Sequence, residues 1–358
     1  MLFDISSGVN EIKDQFPPGS WELRRHPLRD EWVVIAAHRQ SRPWLGDRVE
    51  HGLDEVPAFD STCYFCPGNP RVSGAVNADY PQVFVFDNDH PCVAMEAPEP
   101  AATNPLYQSQ PARGISRVIC FSPQHNMTMA EMPTEDIDAV LLALQGQFAE
   151  LEAMDTVNHV LMFENKGPVV GVSNPHPHGQ IYATSFVFKH IENEVRQSRA
   201  HFEQKGRVLL ADILDAETAD GRRIIWEDED SLVFIPWFAR YAHEVFIAPR
   251  KTYPHIHALP DAARRSLAEA LRVTLIKLDN LWQMPFPYIM TFHQAPTDGA
   301  EYPYFHFHVE FQPPLRQPNL LKYLAGPEIG GGNYLNDTTP EATAAELKAQ
   351  AEIHYRHE

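Results

Sequence analysis

The sequence predicts an α+β fold built from a duplicated strand–helix–strand–strand unit. Strand-like runs recur, two long segments carry apolar residues at helical spacing, and the same order of elements returns at a near-constant offset. In the first copy, Arg117-Val118-Ile119-Cys120-Phe121-Ser122-Pro123 reads as a strand ending at a proline. A helix follows from about Thr134 to Ala153, with Ile137, Val140, Leu141, Leu144, Phe148 and Leu151 on one stripe. His159-Val160-Leu161-Met162-Phe163-Glu164 is the next strand, and a loop leads to a segment centred on His176. In the second copy, Glu244-Val245-Phe246-Ile247-Ala248-Pro249 matches the first strand. A helix from about Asp261 to Trp282 carries Leu267, Leu271, Leu275 and Leu278, and Tyr288–His293 and Phe305–Phe311 close the unit. Pro123 to Pro249 spans 126 positions and His178 to His308 spans 130.

Outside the repeat, Trp32-Val33-Val34-Ile35-Ala36 and Gln82–Asp87 read as strands, and Gly330-Gly331-Gly332-Asn333 as a tight loop able to approach a phosphate or simply to turn. Residues 340–357 read as a solvated helix with little apolar content to dock it. The expected organisation is a first unit over 20–190, a second over 191–335 and a tail over 336–358, the two units forming one integrated globule.

At 358 residues the chain has ample material for a core. Its 29 Lys and Arg against 48 Asp and Glu give a net charge of −19, which disfavours a nucleic-acid polymer as partner but leaves room for a small anion held by a local basic patch. No apolar run approaches the length of a membrane span. The start, Met1-Leu2-Phe3-Asp4-Ile5-Ser6, lacks a basic segment followed by an apolar stretch, so no secretory signal is expected. The four cysteines, two of them (Cys63 and Cys66) in C-x-x-C spacing, suit a reduced, cytoplasmic protein. Cys92 and Cys120 stand singly and are expected in the core.

Asn174-Pro175-His176-Pro177-His178-Gly179-Gln180 is the segment richest in chemistry. In an extended chain side chains alternate, so His176, His178 and Gln180 are expected on one side. An imidazole with a pKa of about 6.5 is a largely neutral nucleophile near pH 7. A second imidazole can hold a metal, and an amide can donate to a phosphoryl oxygen. A surface turn with histidines by chance is the bland alternative.

Gly171 to Gln180, as G-x-S-N-P-H-P-H-G-Q, resembles the active-site motif of the galactose-1-phosphate uridylyltransferases, the Leloir-pathway branch of the histidine-triad superfamily. The resemblance extends along most of the chain: Arg39-x-x-Arg42-Pro43-Trp44, Cys63-x-x-Cys66-Pro67-Gly68-Asn69, Ser122-Pro123-Gln124-His125, Phe163-Glu164-Asn165-Lys166-Gly167 and Phe292-His293-Gln294-Ala295-Pro296 fall in family order. It implies two histidine-triad-like units sharing a largely antiparallel sheet, a half-barrel with helices packed on it.

The resemblance also implies a double displacement in galactose metabolism. His178 is similar to the nucleophile that attacks the α-phosphorus of UDP-glucose, releases glucose 1-phosphate and holds a uridylyl group until galactose 1-phosphate takes it as UDP-galactose. Gln180 would donate to a non-bridging phosphate oxygen. Nucleotide hydrolases of the superfamily carry a third histidine there, and an amide favours transfer over hydrolysis. Asn88, Asn165, Ser173, Arg39 and Arg42 match substrate-binding positions, the arginines within a subunit or across a homodimer, and Lys322 and Glu328 match the hexose region. Cys63, Cys66, His125 and His176 match a zinc site, a donor set that suits tetrahedral zinc. Some members hold a second metal, iron or zinc, through a glutamate and three later histidines. Glu194 and His293 match the first two. Counting back from Pro313 gives His308 and Glu310 for the rest, whereas the H-x-H itself is His306 and His308. Two other readings stand beside this one: a related nucleotidyltransferase or phosphorylase acting on ADP-sugars or dinucleoside polyphosphates, and a non-catalytic zinc-stabilised interaction protein.

Overall fold

The computed structural model describes residues 21–46, 48–49, 56–101 and 104–357; Met1–Ser6 and residue 20 lie outside them. After β1 (Glu22–His26), β-branched and aromatic runs form β2 (Glu31–Ile35), β3 (Phe84–Asp87) and β4 (Gly114–Cys120). The apolar stripe beginning at Ile137 becomes α1 (Thr134–Glu152), followed by β5 (His159–Lys166) and β6 (His178–Thr184). Then come α2 (Lys189–Lys205), α3 (Leu209–Asp220), β7 (Ile224–Glu227), β8 (Ser231–Phe234) and β9 (Val245–Pro249). The leucine stripe becomes α4 (Asp261–Trp282), followed by β10 (Tyr288–His293), β11 (His308–Gln312), β12 (Leu315–Gln317), β13 (Leu320–Leu321), β14 (Tyr334–Asn336) and α5 (Pro340–Lys348).

Nine strands form one sheet in the order β3-β4-β6-β5-β10-β11-β9-β8-β7, and every neighbouring pair is antiparallel. Outward from the central β5–β10 pair, both halves run second strand, third strand, first strand, so each strand–helix–strand–strand stretch mirrors the other. One face is covered by α1 and α4. Their Ile137, Val140, Leu144, Phe148, Leu267, Leu271 and Leu275 pack on Val160, Met162, Ile181, Val245, Met290 and Val309 in a single core. The opposite face carries the odd-numbered residues of β5 and the even-numbered residues of β6, which include His178 and Gln180.

Two local expectations differ. Residues 340–357 are docked, with only 340–348 helical. Ala344 and Leu347 enter the main core, and α4 straps down the rest with polar side chains. Asn280 Nδ2 donates to the carbonyls of Ala351 (3.1 Å) and Ile353 (2.8 Å), and Lys277 Nζ donates to those of Lys348 (3.3 Å) and Gln350 (2.6 Å). Satisfied backbone groups do the work that apolar content was expected to do. Cys120 is buried as expected, but Cys92 is exposed, because it lies in the loop after β3 rather than on a strand.

Candidate active site and metal cluster

The septet splits at Pro177: residues 174–177 form a loop and β6 begins at His178. Phe121 N donates to Pro177 O (3.0 Å), which seats this loop against the Ser122–His125 turn after β4. Gly179 sits where a side chain has no room. A Cβ there would stand 2.9 Å from the Phe163 carbonyl oxygen and from Phe121 Cζ, so glycine is what lets β6 pair closely with β5 between His178 and Gln180.

His176 does not share the outlook of His178. Its side chain is buried and turned to the C-x-x-C loop, because the loop geometry at Pro175 and Pro177 breaks strict alternation. Its Nδ1 and that of His125 each lie 3.6 Å from Cys66 Sγ, and one ligand atom from each of Cys63, Cys66, His125 and His176 falls within 4.8 Å of the others. Tetrahedral bonds of about 2.3 Å to sulfur and 2.0 Å to nitrogen put neighbouring donors roughly 3.6 Å apart, so the spacing fits a metal ion. Burial pushes the Cys66 thiol up to about 11 and His176 down to about 4. A neutral imidazole has a free lone pair, and a bound cation would bring the Cys66 thiol to its thiolate. His176 Nε2 faces the Ser122 carbonyl (2.9 Å) and Tyr80 Oη (3.1 Å), which leaves Nδ1 as the ligand atom.

His178 Nδ1 lies 2.7 Å from the His176 carbonyl oxygen. A carbonyl only accepts, so Nδ1 carries the proton and Nε2 the lone pair. Burial lowers the pKa of His178, keeping it neutral. The Phe65 ring packs 4.7 Å from it. Gln180 accepts at Oε1 from Tyr182 Oη (3.1 Å), so its amide hydrogens remain to donate.

His125, His176 and His178 line a cavity of about 810 Å³ together with Asn165 and Ser173. Asn126, Glu164, Lys166, Asn174 and Arg356 are on the same wall, and sequence reasoning gave none of them a role. The Phe163–Gly167 motif pointed to two of them; nothing local pointed to Arg356, which the docked tail delivers. Glu164 is buried and accepts from Tyr288 Oη (2.9 Å), and burial raises it to about 7. Lys166 Nζ pairs with Asp279 at 3.0 Å.

Gln180, two positions along β6 from His178, is not among the residues that line this cavity, and neither are Arg39, Arg42, Asn88, Lys322 and Glu328. Arg39 Nε pairs with Asp337 (3.2 Å), Lys322 Nζ pairs with Glu328 (3.3 Å), and Asn88 Oδ1 accepts from His90 N (2.9 Å) in a turn. A second buried cluster joins Glu194 of α2, His293 of β10, and His308 and Glu310 of β11. His306 lies outside it: its Nδ1 is satisfied by the Phe307 carbonyl (2.9 Å), because it precedes β11 while positions 308 and 310 share one face.

Two family models match the chain: the galactose-1-phosphate uridyl transferase N-terminal domain over residues 18–187 and its C-terminal domain over 194–358. A galactose-1-phosphate uridylyltransferase of Haemophilus influenzae is 38% identical, covering 95% of this chain and 98% of its own length. That of Saccharomyces cerevisiae is 33% identical, covering 96% and 98%. A solved uridylyltransferase superposes with a TM-score of 0.75 at 32% identity, covering 92% of this chain and 97% of its own. An ADP-glucose phosphorylase from Arabidopsis thaliana shares the fold at 23% identity, with a TM-score of 0.73 over 92% of this chain and 98% of its own. With the motif, the sheet and both halves of the chain in agreement, this protein belongs to the galactose-1-phosphate uridylyltransferase family of nucleotidyltransferases.

Proposed function

We propose that this chain transfers UMP between UDP-glucose and galactose 1-phosphate through a covalent uridylyl group on His178. The observation that carries the reading is the His178 imidazole, held by its Nδ1–H on the His176 carbonyl with Nε2 free beside a large cavity. In the first step Nε2 forms a bond to the α-phosphorus. The α-phosphorus–oxygen bond to the β-phosphate breaks, and glucose 1-phosphate leaves with the electron pair. In the second step a phosphate oxygen of galactose 1-phosphate attacks the same phosphorus, the nitrogen–phosphorus bond breaks, and UDP-galactose departs. The Nδ1 proton stays in place throughout, so the site needs no water and no external base. Gln180 donates to the non-bridging oxygen as charge builds, and Asn165 and Ser173 bind the phosphates.

The metal of the Cys63, Cys66, His125 and His176 cluster is zinc in this reading. Bound there it would lock the loop that ends in the His176 carbonyl, and so the angle of His178. Arg39 and Arg42 act across a homodimer, since they lie away from the cavity of their own chain. Exposed Leu23 and Trp32, on one face of the β1–β2 pair, support such an interface. Asn88, Lys322 and Glu328 serve the same substrates. The units 20–190 and 191–335 act as one globule with the tail 336–358, and the protein works in the cytoplasm.

Incubation with UDP-glucose alone, followed by intact-mass and peptide mass spectrometry, tests the reading. One uridylyl group on the peptide holding His178, absent in a folded His178→Ala variant, is expected. An unmodified wild-type chain that still exchanges the two sugar phosphates would overturn it.

A further inference from the structure

The cluster of Glu194, His293, His308 and Glu310 has the donors for a cation, but a cation of the chain's own already stands among them. Buried Arg29, from the turn between β1 and β2, places Nη2 2.5 Å from Glu310 Oε2 and Nε 3.3 Å from Glu194 Oε1. Buried Arg240, from the loop between β8 and β9, places Nη2 3.3 Å from the same Glu310 oxygen and 2.7 Å from Glu244 Oε1. Gln312 Nε2 adds a donor to Glu310 Oε2 at 2.7 Å, and His293 Nε2 approaches it at 3.4 Å. His293 Nδ1 is 3.0 Å from both oxygens of Glu194.

Glu310 Oε2 therefore accepts from Arg29, Gln312 and Arg240, more donors than an oxygen has lone pairs to serve, with His293 beside them. A divalent ion bound to these carboxylates would also stand within a few ångströms of two guanidiniums, in surroundings that screen poorly. Access is not the obstacle, because a cavity of about 400 Å³ borders Arg29, Arg240 and His293. The donor set does not fit a metal ion while both arginines are present.

We infer that Arg29, backed by Arg240, takes the place of a second metal. The cluster is a metal-free strut in which guanidiniums neutralise the carboxylates. It ties the β1–β2 turn and the β8–β9 loop to α2, β10 and β11. A buried charge of this kind is costly when its partner is removed, which makes the strut measurable.

Metal analysis of protein purified without chelator tests this. In Cys63→Ser, where the other cluster is disabled, no metal is expected to remain. One ion per chain that survives Cys63→Ser and is lost in His308→Gln would overturn the inference. The complementary test is the double variant Arg29→Thr with Glu310→His, which removes the guanidinium and adds an imidazole facing the cluster. It should gain one zinc or ferrous ion per chain over wild type, and its thermal midpoint should fall on adding EDTA. A folded double variant that gains no ion would overturn the claim that the guanidinium keeps the cation out. Wild type free of any metal would refute the zinc reading of the Cys63 cluster and leave this inference standing, so the two fail separately.

Discussion

The carbonyl of His176 connects the two halves of the site chemistry, because the residue that offers Nδ1 to the Cys66 cluster also holds the imidazole of His178. Gln180 depends on a neighbour in the same way: Tyr182 Oη occupies its amide oxygen and leaves the amide hydrogens to donate elsewhere. Gln180→Ala should slow uridylylation by about 100- to 1000-fold, the usual loss for a donor aimed at developing charge. Tyr182→Phe removes only the orienting bond and should slow it roughly 2- to 10-fold. Single-turnover rates with UDP-glucose measure both. Equal losses in the two variants would mean that Tyr182, not the amide, carries the effect.

At the scale of elements, the β5–β10 pair joins the two halves of the sheet, and Glu164 crosses it to Tyr288. Burial raises Glu164 from an ordinary 4.5 to about 7. The folded chain then binds a proton that the unfolded chain has lost between those two values. Stability should fall as pH rises from about 4.5 to about 7 and level off above, by up to about 3 kcal/mol from this group. Glu164→Gln should flatten that window and unfold later than wild type at pH 8. Urea unfolding at pH 5, 6, 7 and 8 checks this, and an unchanged slope in the variant would show that Glu164 does not set it. The cluster of Cys63, Cys66, His125 and His176 has a matching test. Cys63→Ser or His125→Ala should lose metal and thermal stability together, because metal binding free energy is part of folding free energy. Metal loss with an unchanged midpoint would separate the two.

At the scale of the whole molecule, the last residues lie along α4 and bring Arg356 to the wall of the cavity. Truncation after Lys348 removes the Gln350 acceptor of Lys277, the Ala351 and Ile353 acceptors of Asn280 and the His354 contact to Asp279 (3.3 Å). Several hydrogen bonds of about 1 kcal/mol each are lost, so the thermal midpoint should drop by roughly 5 °C or more. Calorimetry on the truncated chain measures it. A midpoint within a degree of wild type would mean that the tail adds nothing to the fold.

Much of this was legible in the sequence, because local chemistry determines it. The stripe from Leu267 to Leu278 predicts α4 with its ends at Asp261 and Trp282, since apolar periodicity and helix geometry share one period. The G-x-S-N-P-H-P-H-G-Q run and the C-x-x-C pair predict a reactive imidazole and a metal cluster, since few residue types can do either job. What the tertiary structure alone decided depends on distance along the chain. His176 turns away from the face of His178 because the fold sets it against Cys66, 110 positions earlier. The tail docks through α4 polar groups that no hydrophobic pattern announces. Arg29 reads as an ordinary turn charge until the fold sets it 2.5 Å from Glu310, 281 positions away. A spacing pattern records which donors a chain owns; only packing determines which cation they meet.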